Sequence, residues 1–221
     1  MSLNKRVAYL ALAFTLAAAL HGVAADETEA RLERAATVLT ELTATSRQAI
    51  QPAQIAKADC VVVIPGFKKG AALVGVGFGK GFISCRNGDT WSAPGAVTLE
   101  SASLGAQIGG TEIDIVVLSL DKQLRPKLLS DRFTVGTDAS AAWGNGKTAC
   151  ADPNARILFF GLTKGAFAGF GLAVATLKAD DSGNRALYGK PITNLDIVEG
   201  HVDTPDVAQS LVARLSEETS H

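Results

Sequence analysis

The chain predicts an α+β fold: a curved antiparallel sheet or partial β-barrel with an N-terminal helix and short flanking helices. Three observations carry this. Short apolar runs rich in Val, Ile and Phe fill the middle of the chain, separated by glycine and Asn-Gly turn signals. Helical periodicity is confined to the two ends. Nothing alternates strand with long helix, as a parallel βαβ sheet requires.

The elements follow in order. Thr28 to Ile50 reads as a helix: Asp26 can cap it, Glu27 and Glu29 suit its positive end, and Leu32, Ala36, Leu39, Leu42 and Ala49 recur at helical spacing. Pro52 suits the first turn of a second short helix ending near Ala58. Cys60 to Ile64 is a β-branched strand that stops at a Pro65-Gly66 turn. Ala71 to Phe78 and Lys80 to Arg86 follow as strands, closed by the Asn87-Gly88 turn. Ala96–Leu99, Ser103–Ile108 and Glu112–Leu120 continue the pattern, and Asp121 to Leu129 forms a short helix interrupted at Pro126. Arg132–Val135, Arg156–Leu162 and Phe167–Lys178 supply further strands. Asn184 to Tyr188 is a helical turn, and Asp206 to Leu215 a last amphipathic helix with Val207, Leu211, Val212 and Leu215 on one side. No linker or low-complexity stretch splits the chain, so 26–221 reads as one domain.

The N-terminus sets the expected compartment. Lys5-Arg6 is a basic n-region, Val7 to Leu20 an apolar stretch, and Val23-Ala24-Ala25 offers small residues before Asp26. That is the layout of a cleavable secretory signal over 1–25, too short for a confident membrane span. No Cys lies near the cleavage site for lipidation, so a periplasmic or secreted protein is expected. The whole chain carries a net charge of −1, and losing Lys5 and Arg6 makes it more negative. A phosphate footprint wants a basic excess, so nucleic acid is not an expected partner. Three cysteines remain in an oxidising compartment, Cys60, Cys85 and Cys150, and three pairings are open. Cys60–Cys85 is favoured, because both end strand-like runs joined by one hairpin-like excursion; three reduced core thiols are the alternative.

Catalytic readings fail on composition. Gly144-Asn145-Gly146-Lys147-Thr148 resembles the end of a P-loop, but Ala141 stands where its first glycine belongs. Gly75, Gly77, Gly79 and Gly81 alternate, which places them on one face of a strand rather than in a dinucleotide fingerprint. His201 and His221 are the only histidines after the signal, too few for a His-rich zinc site. A Ser–His–Asp triad would rest on His201 with no nucleophile elbow to support it. Asp180-Asp181-Ser182-Gly183-Asn184 is rich in oxygen but lacks the calcium-loop pattern. No cofactor, metal or enzymatic activity is expected.

Five blocks in fixed order carry a resemblance: IPGFKKGAALVGVGFGKGFISCR, WSAPGAVTLE, SLGAQIGGTEIDIVVLSL, FTVGTDASAAWG and GAFAGFGLAVATLKADDSGNRALYG. From about Thr37 to Gly189 the chain resembles the SYLF domain, also called a yeast-type actin-binding domain. The resemblance implies a non-enzymatic module that binds phospholipid head groups, here as a bacterial secreted member docking on an anionic membrane of the envelope. A structural or adaptor module binding another envelope protein is the alternative.

The expected lipid-binding residues are Phe67, Lys68, Lys69, Lys80, Lys164 and Phe167. They form basic-aromatic groups at glycine turns, where lysines pair with phosphate and rings enter the interface. Trp91 is expected to fill space left by the glycine-rich strands. If Cys60 and Cys85 are bridged, the denatured, unreduced protein will titrate one thiol, on Cys150; three free thiols in protein from an oxidising compartment would reject the bridge.

Overall fold

The computed structural model describes residues 26–44, 50–71, 74–104, 109–135, 141–143, 155–163, 174–200 and 202–219. Helix α1 spans 26–43, seven residues short of the expected end, and α2 is Pro52–Lys57 with its proline in the first turn. The strands are β1 (Cys60–Ala71), β2 (Val74–Asn87), β3 (Thr90–Trp91), β4 (Gly95–Leu104) and β5 (Gly109–Ser119), followed by helix α3 (Arg125–Leu128). Then come β6 (Arg132–Val135), β7 (Ala141–Trp143), β8 (Ile157–Thr163) and β9 (Val174–Ala179), and helices α4 (Asp181–Tyr188), α5 (Asn194–Glu199) and α6 (Gln209–Glu217). Pro126 sits in the first turn of α3 and starts that helix rather than interrupting it.

The described strands form one sheet in the order β6-β9-β4-β2-β1-β5-β8-β7, with β3 on β2. Its pairings are antiparallel except β7 with β8. Laid flat, such a sheet would set β6 and β7 about 34 Å apart at the usual strand spacing. Yet the chain passes from Val135 to Ala141, a reach of about 20 Å at most. The sheet therefore curls, and its core shows it: Phe133 of β6 and Phe159 of β8 share one buried cluster with Val62, Ile64, Ile83, Leu99, Ile115 and Leu177. This is the inner, concave layer of a half-barrel. The opposite faces of the same strands supply Val61, Val63, Phe82, Val116 and Phe160 to an outer layer, roofed by Leu32, Leu39 and Leu42 of α1 and Leu211 and Leu215 of α6. A strand buried on both sides loses its polar alternation, which is why Val61 to Ile64 reads as an unbroken apolar run. At its far end α6 is tied to α1: the Thr43 hydroxyl donates to Glu218 Oε1 at 2.8 Å and accepts from Arg214 at 3.1 Å.

Pro65-Gly66 is not a turn. β1 runs on to Ala71, and the pair forms a bulge: Ile64 faces Ile115 and Phe67 faces Ile113, so two residues of β1 oppose one of β5. A bulge position asks no ladder hydrogen bond of proline. Gly66 takes φ 64°, the left-handed region open to glycine, and its N–H donates to Asp114 Oδ1 at 2.7 Å. The extra residue shifts the parity of β1, so Ile64 and Phe67 both face inward. Phe67 is fully buried. A Cβ on Gly77 would collide with its ring, and one on Gly79 would lie 2.6 Å from Ile64 Cγ2 and 2.9 Å from Phe67 Cδ2. Gly77 and Gly79 of β2 thus make room for Phe67. Trp91, expected to fill that space, packs in the outer layer instead, with the Arg86 guanidinium 4.4 Å from its ring centroid. β1 and β2 also prove longer than the sequence suggested, because glycine placed against a close neighbour does not end a strand.

The other end of β1 and β2 is locked. Cys60 faces Cys85 in register and the two form a disulfide. Beyond it, buried Arg125 of α3 holds Asp59 through two donors, one at 2.9 Å, and donates to the Arg86 carbonyl at 2.8 Å. One guanidinium therefore clamps the residues flanking both cysteines. Replacing Arg125 by Ala leaves Asp59 buried without its partner and should cost about 3–5 kcal/mol in denaturant melts. Gly77→Val should cost about 1–3 kcal/mol by overpacking, and adding Phe67→Leu should recover part of that loss. An unchanged midpoint in Gly77→Val would mean that Phe67 does not press on this strand.

Candidate functional site

The residues of β2 that face outward change character along the strand. Phe82 is 1 % exposed beneath the helical layer, whereas Phe78 is 50 % and Val76 61 % exposed. The alternation that turns the glycines inward turns Val76, Phe78 and Lys80 outward. Phe78 lies in register with Lys68 of β1 on one side and Glu100 of β4 on the other. Lys68 is exposed. The helices roof the outer face near the disulfide end, and an apolar pair flanked by a lysine lies bare toward the other end.

The charges around this pair are mostly engaged. Lys178 of β9 bonds Glu100 at 2.6 Å, Arg34 of α1 bonds Glu112 at 3.2 Å, and Lys80 bonds Asp180 at 2.8 Å. Asp180 also accepts from Ser182 Oγ and the Gly183 N–H, capping α4. Burial alone would raise its carboxyl, but the bonds from Lys80, Ser182 and Gly183 outweigh this and hold it below the usual carboxylate range. The oxygen-rich run at Asp180 is thus a helix cap. Among the described residues Lys68 has no ion pair.

The expected site residues are divided by this arrangement. Phe67 is a correction: the bulge turns it into the core, away from any membrane. Lys80 donates to Asp180, the residue that caps α4, and is partly exposed. Lys68 is outward and open, the backbone of Lys69 continues β1, and Lys164 and Phe167 lie outside the described residues, as do His201 and Cys150. The ends of that segment are placed, however. Thr163 pairs with Ile113, which pairs with Phe67, and Val174 pairs with Ala102, which pairs with Val76. The chain therefore leaves and re-enters the sheet at the Lys68–Val76 end. Val76 and Phe78 were the residues missed, although the spacing Gly75-Val76-Gly77-Phe78-Gly79 carried the signal. Among the described residues no group of His, Cys, Asp or Glu could hold a metal, and no helix is long and apolar enough to cross a membrane.

Lys80→Gln should lower stability by about 1–3 kcal/mol, the cost of a buried carboxylate losing its partner. Asp180 has a depressed folded-state pKa, so the stability it confers is present above the ordinary carboxylate pKa and is lost as pH falls through the folded value. The wild-type advantage over Lys80→Gln should therefore shrink on acidification. A constant difference down to strong acid would show that the pair contributes nothing through charge.

Comparison with known proteins places this surface in context. The family model Ysc84, described as Las17-binding protein actin regulator, matches residues 100–218. That match extends past Gly189 through α5 and α6. An SH3 domain-containing protein of Schizosaccharomyces pombe is 31% identical over 87% of this chain and 48% of its own length. Protein YSC84 of Saccharomyces cerevisiae is 29% identical over 75% of this chain and 37% of its own. SH3 domain-containing YSC84-like protein 1 of Homo sapiens is 31% identical over 80% and 55%. The chain spans about half the length of the curated relatives it matches. No solved structure matches. The chain belongs to the Ysc84 family, the SYLF-domain family that its sequence blocks resemble.

Proposed function

We propose that this protein is a non-enzymatic, phospholipid-binding module of the bacterial envelope, secreted or periplasmic, that docks on anionic membrane surfaces. The observation that supports this reading is the exposed pair Val76 and Phe78 beside the unpaired Lys68. The pair offers apolar area to the acyl boundary, and the lysine offers a charge to phosphate. Burying a Val or Phe side chain contributes about 1.5–3 kcal/mol when complete, and a lysine near an anionic surface about 1 kcal/mol. Together they suffice for reversible attachment. The proposed site differs from the one expected from the sequence: Lys68 remains, Val76 and Phe78 replace Phe67, and Lys80 serves the fold.

A second reading rests on the names of the relatives. The family is described as Las17-binding, and a Saccharomyces cerevisiae relative is named LAS seventeen-binding protein 3. By analogy the same face would receive a protein of the envelope. Co-sedimentation of the purified chain with phosphatidylcholine vesicles containing phosphatidylglycerol separates the two readings. Wild type should pellet with vesicles, and Val76→Asn with Phe78→Asn should weaken binding about tenfold or more while keeping its melting temperature. Absence of wild-type binding would reject the lipid reading in favour of the protein partner.

A further inference from the structure

We infer that two ion pairs beside the bare patch hold its docking in check: Glu100 and Glu112 keep Lys178 and Arg34 from the phosphates of an anionic membrane. The inference rests on the lipid reading and names what regulates that site. Register sets Glu100, Phe78, Lys68 and Glu112 in one row from β4 to β5, and residues directly opposite one another share a face of the sheet. Glu100 lies one strand from Phe78, about 5 Å, and Glu112 two strands, about 10 Å. A membrane that covers Phe78 therefore brings its phosphates to both carboxylates. Each of these already holds a cation, Lys178 on Glu100 at 2.6 Å and Arg34 on Glu112 at 3.2 Å. The two pairs differ from Lys80–Asp180, whose carboxylate is 7 % exposed and also caps α4. Lys178 and Glu100 are 34 % and 41 % exposed, Arg34 and Glu112 57 % and 32 %. Ion pairs as open as these add little to stability and separate readily. Phosphate accepts from the same donors as carboxylate, from arginine through two parallel bonds. Lys178 and Arg34 can thus exchange a carboxylate for a phosphate at the membrane with little loss to the fold. Glu100 and Glu112 oppose that exchange twice, by competing for the cations and by their own repulsion from the anionic surface.

The test measures binding of the purified chain to large phosphatidylcholine vesicles with and without phosphatidylglycerol. With phosphatidylglycerol present, Glu100→Gln should bind about fivefold tighter than wild type and Glu112→Gln about threefold tighter. Both should melt within about 2 °C of wild type, because the pairs they remove are exposed. Adding Lys178→Gln to Glu100→Gln should abolish the gain, since the released lysine is what the phosphate receives. On phosphatidylcholine alone the variants should match wild type within about twofold. Glutamine variants that bind phosphatidylglycerol vesicles no tighter than wild type, that gain equally on phosphatidylcholine alone, or that keep the gain without Lys178 would overturn the inference and leave the lipid reading standing. Failure of the wild type to bind either kind of vesicle would overturn both.

Discussion

The bulge at Pro65-Gly66 is the constraint from which the rest of the sheet follows. One residue inserted into the central strand reverses its parity between Ile64 and Phe67. Without it Phe67 would point outward and Lys68 into the core. With it a large ring enters the inner layer, and the neighbouring strand must give up side chains to admit it. Gly77 and Gly79 follow from Phe67, and the bond from Gly66 N–H to Asp114 fixes where the shift occurs. The glycines that weaken β2 as an isolated strand are stabilising in this context, because the ring supplies the contacts they lack.

The same parity links packing to surface. Glycines at alternate positions face inward, so Val76, Phe78 and Lys80 face outward. Outward residues nearer the disulfide fall under α1 and α6, and those beyond reach remain bare. The two ends of the β1–β2 pair therefore differ in kind. One is closed by the disulfide, by the Arg125 clamp on Asp59 and Arg86, and by helices. The other carries the exposed apolar pair. A rigid anchor at one end permits a bare face at the other without loss of register.

The fold class was legible because burial on two sides leaves a sequence signature: unbroken runs such as Val61 to Ile64, with helical period only at the ends. The Cys60–Cys85 pairing was legible because both residues bound one excursion of chain. The bulge was not, since Pro-Gly within a strand and Pro-Gly ending one look alike locally; only the partner strand, through Asp114 and Ile113, decides. Phe67 was misplaced for that reason alone. Lys80 was misjudged because its partner, Asp180, lies far along the chain. α5 was missed because Asn194 to Glu199 is too short to show a period.

An exposed Phe on a strand is by itself ordinary, as scattered apolar residues are common on protein surfaces. The case here is different because the residue has an alternative. Phe78 and Phe82 lie on one face of one strand, and the helical layer covers Phe82. Between them Lys80 closes the roofed region by holding the cap of α4. The edge of the roof is thus defined by a specific ion pair and not by a fading of the core. Beyond that edge the strand keeps apolar side chains where the roofed fold has no use for them, set against glycines that leave β2 no bulk on its inner side. A face built in this way is stable when bare and gains by being covered, and burial of apolar area is the interaction it has most to offer.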